Sequence, residues 1–366
     1  MTSYGKNIKI EIYGGSHDSE IGIKASGIPA GISFDYDELK KFMKRRAPGQ
    51  SNITTQRKES DTPLLISGFD GYVTNGDEIH IAIRSENMRS GDYKSLENIP
   101  RPSHADYPAY VKTGGKADLR GGGHFSGRLT APLCALGGIF LQYLRDKGIM
   151  IAAHILSVGG ENGAREKRFD PVNVSARELD ELLSRSFPVL EADSEKKVFD
   201  VINSARMKED SVGGVIECAA VGLPVGIGEH IFCGMESRIS SIIFAIPAVK
   251  GIEFGAGFES ACMTGSENND PFFTDGVKVY TKTNNAGGIL GGMTSGAPLI
   301  FRCAVKPTPS IGLEQDSVNL GEMKNVKTVI RGRHDPCIVP RAIPVVEAAC
   351  AVAIFDALLD NGETER

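Results

Sequence analysis

Tryptophan is absent from the 366 residues, aromatic residues amount to 7%, and no apolar run is long enough to cross a bilayer. The most apolar long stretch, TAPLCALGGIFLQYL (130–144), is followed at once by Arg145, Asp146 and Lys147, and it reads as a buried helix. The N-terminus, MTSYGKNIKIEIYGG, lacks the basic-then-apolar order of a secretion signal and runs straight into a strand-like segment. Seven cysteines include no CxxC pair, which suits neither a disulfide framework nor a zinc ribbon. Reduced thiols in a cytoplasmic protein are the expectation, with no metal site. The net charge of -5 and pI of about 5.9 leave no broad basic face, so neither nucleic acid nor an anionic membrane is the expected partner. A GxxxxGK[ST] phosphate loop, HExxH and GxSxG are also missing, and the GAGF at 255–258 lacks the third glycine of a dinucleotide fingerprint.

What is present is glycine and locally clustered positive charge. The 43 glycines gather as GG at 14–15, GGG at 121–123 and GGILGG at 287–292, among others. Glycine reaches backbone angles closed to other residues and lets a ligand approach the main chain. Residues 331–346, RGRHDPCIVPRAIPVV, bring Arg331, Arg333 and Arg341 together with His334 and Asp335. In an acidic protein, such clusters point to small, strongly anionic ligands.

Strand-like runs occupy 8–13, 22–28, 78–84, 149–158, 214–222, 277–283 and 297–305, all alternating or rich in β-branched residues. Helix-like runs occupy 37–46, 130–147, 175–185, 194–207, 237–246 and 344–360. The last is read as starting with Pro344 in its first turn and stopping at Asn361-Gly362, and the helix at 175 as opening with a capping box. The elements do not alternate in strict βαβ order, which predicts an α+β fold in one domain spanning 1–366. The charged segment 160–212 reads as a surface elaboration without a linker to isolate it.

Five short stretches combine glycine or proline with charged and hydroxyl groups. YGGSHD (13–18) presents Ser16 and His17. KRRAPGQSNITTQR (44–57) carries Arg45, Arg46 and Arg57. RPSHADY (101–107) offers Arg101, His104 and Asp106. DLRGGGHFSGRLTAP (118–132) sets Arg120, His124, Ser126 and Arg128 around a glycine triplet. The last is 331–346, with AGGILGGMTSGAP (286–298) and KPTPS (306–310) upstream. His80, His154 and His230 sit in or beside apolar runs and read as ordinary packed or surface histidines. His17, His104 and His334 lie in polar loops beside arginine or a hydroxyl. Guanidinium forks match phosphate and carboxylate geometry, and exposed N–H groups at helix starts add to that. These residues alone indicate a site for phosphorylated, carboxylated small molecules, with histidines as proton donors and Asp335 as base or orienter.

The stretches GRHDPCIVPRAIPVVEA, RPSHADY, RGGGHFSGR, RRAPG with TTQR, AGGILGG and KPTPSI follow one another as in the chorismate synthases, and the chain resembles that family over residues 8 to 360. The resemblance implies an α+β layered sandwich, helices inside and antiparallel sheets outside, assembled as a homotetramer. It also implies a carbon–oxygen lyase of aromatic amino-acid biosynthesis, converting 5-enolpyruvylshikimate 3-phosphate to chorismate and phosphate by 1,4-anti elimination. Reduced FMN is required without net redox change. The chain's shortness, with no fungal-type insertions, implies an enzyme that takes reduced FMN from an external flavin reductase.

By the same resemblance Arg46, Arg101, Arg128 and Arg333 meet substrate anions, with Ser16 hydrogen-bonding beside them. His104 matches the histidine that protonates the departing phosphate, His17 the one beside the flavin N1–O2 edge, and Asp335 the aspartate that adjusts flavin N5. FMN contacts carry over to Arg46, His124, Phe125, Ser126, Pro247, Ala248, Gly291, Lys306, Pro307, Thr308, Pro309, Ser310 and Arg333. The chain departs from the family pattern at Gly15 and Asp18, at His124, which stands for an arginine, and at Asn52. Many members carry at the position of Asn52 an arginine assigned to NADP or substrate, which weighs against an NADP contact here. Lys44, Arg45 and Arg57 are the cations available to compensate. Two other classes compete: a flavin or phosphometabolite binder that has lost catalysis, and a nucleic-acid binder, the latter disfavoured by net charge.

Overall fold

The computed structural model describes residues 3–49, 59–85, 98–116, 118, 120–330 and 335–361. Two five-stranded sheets enclose a helical layer. In the first, the strands run Ser3–Tyr4, Lys9–Tyr13, Glu20–Ser26, Ile79–Arg84 and Leu64–Ser67 in spatial order, each antiparallel to its neighbour. In the second the order is Val249–Phe254, Leu299–Val305, Gly214–Val221, Met150–Val158 and Ala164–Arg165, again antiparallel throughout. Six of these strands fall within a few residues of predicted runs, whereas Ser3–Tyr4, Leu64–Ser67, Ala164–Arg165 and Val249–Phe254 match no predicted run; the expected α+β sandwich with helices inside is the observed architecture.

The helices are α1 (Tyr36–Arg46), α2 (Asp106–Thr113), α3 (Thr130–Asp146), α4 (Ala176–Leu183), α5 (Ala192–Met207), α6 (Met235–Phe244), the single turn α7 (Gly265–Asn268) and α8 (Val339–Leu358). In α8 only Pro340 and Arg341 escape burial, the signature of a helix packed on all sides. It crosses α3 closely enough that a Cβ on Gly137 would stand 2.5 Å from the Ala348 Cβ, and Phe140 stacks on Phe355 with ring centroids 3.9 Å apart. α3 touches both sheets and α8 packs on α3 and the second sheet, so the core lies between the sheets. A smaller apolar group, including Phe169, Leu179, Leu182 and Ala219, forms beneath α4. The charged 160–212 segment thus packs its helices onto the second sheet.

Three expectations change. α8 begins five residues before Pro344, at Val339: Pro340 stands second in its opening turn, and Pro344 forfeits only the bond to the Pro340 carbonyl near the helix start. α2 is a helix within the RPSHADY region read as a loop, and it ends at Gly114 with φ +60. At Ser175 only half of the capping box is made, the hydroxyl accepting from the Glu178 N–H at 3.3 Å.

α1 has clear local causes. The Asp35 carboxylate accepts from the N–H groups of Asp37 and Glu38 at 2.7 and 2.9 Å, and the last turn is Lys44, Arg45, Arg46. That cap fixes where the helix begins, and its opposite end delivers Arg46 to the site.

Candidate active site

The strand Lys9–Tyr13 leaves the first sheet through Gly14 and presents Ser16 and His17 to the glycine triplet. Gly121, Gly122 and Gly123 all have positive φ (58, 93 and 51), a run that side-chain-bearing residues resist. Space is short for a side chain at Gly121 as well, though not at Gly122. A Cβ on Gly121 would lie 2.5 Å from His17 Nε2 and 2.8 Å from Ser16 Oγ; one on Gly122 would lie 3.4 Å from both His104 Nε2 and Ser126 Cβ. The triplet is therefore the surface on which Ser16, His17, His104 and Ser126 converge. The Ser16 N–H donates to the Gly123 carbonyl at 3.1 Å, and His124 Nδ1–H donates to the Gly14 carbonyl at 2.8 Å. Phe125 is exposed beside them.

His104 sits in a second polar group. Its Nδ1 lies 2.6 Å from Asp106 Oδ1. Arg101 donates to the same carboxylate through its backbone N–H (3.0 Å), Nε (2.7 Å) and Nη2 (2.8 Å). Burial pushes the Asp106 carboxyl upward, but these hydrogen bonds from Arg101 and His104 outweigh it and hold Asp106 far below the ordinary carboxylate value. Arg101, expected at the substrate, is thus largely engaged with Asp106. The preceding residue, Ser103, adopts φ +58, and its carbonyl accepts from Lys306 Nζ at 3.1 Å. Burial, with the charge of Lys250, holds Lys306 below the usual lysine value.

Arg46 and Arg128, 3% and 7% exposed, form the third group. Each donates through Nη1 to one oxygen of Asp61, which is fully buried and has φ +48. Arg46 Nε adds Thr130 Oγ1 at 3.2 Å, Arg128 Nη2 adds the Arg84 carbonyl at 3.2 Å, and Glu59 stands 3.7 Å from Arg128. Burial raises Asp61, yet Arg46 and Arg128 bring it below the ordinary carboxylate value. Arg341 extends the group: its Nε donates to the Arg46 carbonyl at 3.1 Å and its Nη1 to Asp335 Oδ2 at 2.5 Å. Arg45, a candidate for extra anion binding, turns away and makes a two-pronged contact with Glu347 of α8 at 2.6 and 3.0 Å.

The 306–310 segment joins these groups. The Ser211 hydroxyl donates to the Thr308 carbonyl at 2.6 Å, while the next N–H, from Val212, donates to Pro336 at 2.9 Å beside Asp335. Lys306 N–H donates to the Ala248 carbonyl at 2.9 Å, which brings Pro247 and Ala248 alongside, and Ser310 is buried. Thr308 Oγ1 is buried with no hydrogen-bond partner among the described residues. Gly291 lies by the opposite end of α6 from Ala248. Its neighbour Gly292 accepts from the N–H of Met235 at the start of α6, whereas Ala248 follows the end of that helix, about 15 Å away at 1.5 Å per residue. Asn52, Arg57, Arg331, Arg333 and His334 lie outside the described residues.

Sequence reasoning missed Glu59 and Asp61 as members of the site, grouped Arg341 with Asp335 without giving it a role, and missed the bond from His104 Nδ1–H to Asp106. The only hint for Asp61 was its place just after the arginine-rich stretch. His154 is buried against Glu217 at 3.0 Å and His230 is exposed, away from the triplet.

A family model described as chorismate synthase matches residues 8–359. A chorismate synthase of Lancefieldella parvula is 44% identical over 98% of this chain and 96% of its own length, and one of Pyrococcus abyssi is 43% identical over 97% of each. A crystal structure of chorismate synthase covers 98% of this chain and 93% of its own, with a TM-score of 0.75 at 24% identity, a likeness of fold.

Proposed function

The chain belongs to the chorismate synthase family and is a lyase of the shikimate pathway, and from that premise we propose that it converts 5-enolpyruvylshikimate 3-phosphate to chorismate and phosphate by 1,4-anti elimination with reduced FMN. The observation that carries this reading is the convergence of His17, His104, Ser16 and Ser126 on a side-chain-free glycine surface.

The substrate brings a phosphate and two carboxylates, and burying them without partners is prohibitive. Arg46 and Arg128 supply paired guanidinium groups, and Arg333 is proposed to join them. His104 holds a proton at Nε2, the nitrogen facing Gly122, for the departing phosphate oxygen. Ser16 donates hydrogen bonds, His17 fixes the flavin edge, and Asp335, held by Arg341, adjusts its N5 environment.

An FMN fits the residues present. A Cβ on Gly121 would press into His17 and Ser16, and Thr308 Oγ1 is a buried hydroxyl with no partner among the described residues. We assign His124, Phe125, Ser126, Pro247, Ala248 and Lys306 through Ser310 to its binding, with Arg46, Arg333 and Gly291 as further contacts. Reduced FMN, when bound, supplies electron density and a proton acceptor for a hydrogen that is not acidic. An external flavin reductase provides the reduced cofactor.

A homotetramer is the assembly we propose. Its support is exposed apolar surface: Phe232 and Phe258 are bare, and the hairpin formed by Phe272–Thr274 and Val279–Thr281 holds Phe273 stacked on Tyr280 in solvent. A cytoplasmic location accords with seven free thiols. Among the described residues, no helix is long and apolar enough to cross a membrane.

Anaerobic incubation with the enolpyruvyl phosphate and reduced FMN tests the proposal. Chorismate and phosphate are expected; no product at saturating reduced flavin overturns it.

A further inference from the structure

We infer that Asp106 is the positioning residue for the proton donor, holding His104 with Nδ1 protonated so that Nε2 faces the reacting oxygen, and that Arg101 serves by locking Asp106. The inference rests on the reading that His104 protonates the departing phosphate.

An ionised carboxylate only accepts hydrogen bonds, so the 2.6 Å contact places a proton on His104 Nδ1. Arg101 Nη2, 3.2 Å from the same nitrogen, therefore cannot donate to it. Arg101 instead fixes the carboxylate through Nε, Nη2 and its backbone N–H, engaging both oxygens. Asp106 is buried, so its orientation is set by protein rather than by water. With Nδ1 spoken for, Nε2 is the nitrogen left to carry the transferable proton, and it faces Gly122.

Among the described residues, the charges facing the ring are Asp106 at the start of α2, Arg101 on the preceding loop, Lys306 through the Ser103 carbonyl, and His17 across the glycine triplet. Of these only Asp106 is negative, and it is the one counter-charge set against three basic groups. Neutralising it leaves Arg101 facing the ring unopposed.

Asp106→Asn, Asp106→Glu, His104→Ala and the double variant of His104→Ala with Asp106→Asn are assayed with reduced FMN for kcat and KM across pH. For Asp106→Asn a fall in kcat of roughly 10- to 100-fold is expected, the range of a partly disabled general acid. Substrate KM should change little, the alkaline limb of the profile should move to lower pH, and Asp106→Glu should recover part of the rate. In the His104→Ala background the same change should cost almost nothing further, because the two residues act as a unit. An unmoved pH profile, a full additional loss in the double variant, or a rise in KM at constant kcat each overturns the inference. Nitrogen NMR of wild-type histidines reads the same point without relying on a variant that folds: a protonated His104 Nδ1 supports the inference and a bare one overturns it. Absence of wild-type turnover would sink the functional reading while leaving that NMR result legible.

Discussion

Arg341 Nη1 lies 2.5 Å from Asp335 Oδ2, a contact made across the turn that opens α8. The pair is largely buried, at 19% and 9% side-chain exposure. Breaking a buried pair by removing one charge costs about 3–5 kcal/mol, since the other is left uncompensated. Asp335→Asn should therefore lower both the unfolding midpoint and the turnover. Adding Arg341→Met should restore most of the stability but not the rate. Recovery of both in the double variant would show that Asp335 is structural only.

Asp61 bridges two buried guanidinium groups, one on each oxygen. Asp61→Ala should cost about 3–5 kcal/mol in denaturant unfolding, more than any change at an exposed ion pair such as Lys196–Asp200. A loss below about 1 kcal/mol, the value of a surface pair, would contradict the burial assigned to this group.

Acid stability follows from Asp61 and Asp106, both held below the ordinary carboxylate value of 3.8. A depressed carboxyl contributes stability that is present above its unfolded value and lost as pH falls through the folded one. The unfolding midpoint should be flat near neutrality and fall once pH drops below about 4. In Asp106→Asn that fall should be shallower. Equal slopes in the two proteins would remove Asp106 from the account.

Gly121→Ala forces a side chain into the left-handed region and into His17 Nε2. The backbone alone costs about 1–2 kcal/mol, a modest loss for a chain of this size. Turnover and FMN affinity should fall far more steeply than stability, because the added carbon occupies the ligand surface. Normal FMN titration in this variant would move the flavin elsewhere.

Much of the fold was legible because alternation and apolar runs report burial directly. The strand Leu299–Val305 and the helix Thr130–Asp146 coincide almost residue for residue with their patterns. α2 was not, because Pro108 stands in its first turn and Ala105 gives it no side-chain cap. The start of α8 was misplaced because two prolines compete for the opening turn and only packing selects Pro340. At the site, residue types and motifs pointed to His17, His104 and the glycine triplet. Pairing was invisible: nothing in sequence distance says that Asp61 sits between Arg46 and Arg128, or that Arg45 faces Glu347 rather than a ligand. Those partnerships are long-range consequences of the sandwich.

The central claim is elimination of phosphate at the glycine-triplet site without net redox change. Stoichiometry under anaerobic turnover tests it most directly, with chorismate, phosphate and the flavin spectrum followed together. One phosphate per chorismate is expected, with the flavin as reduced at the end as at the start. Phosphate without chorismate, or flavin oxidised in proportion to product, would contradict it.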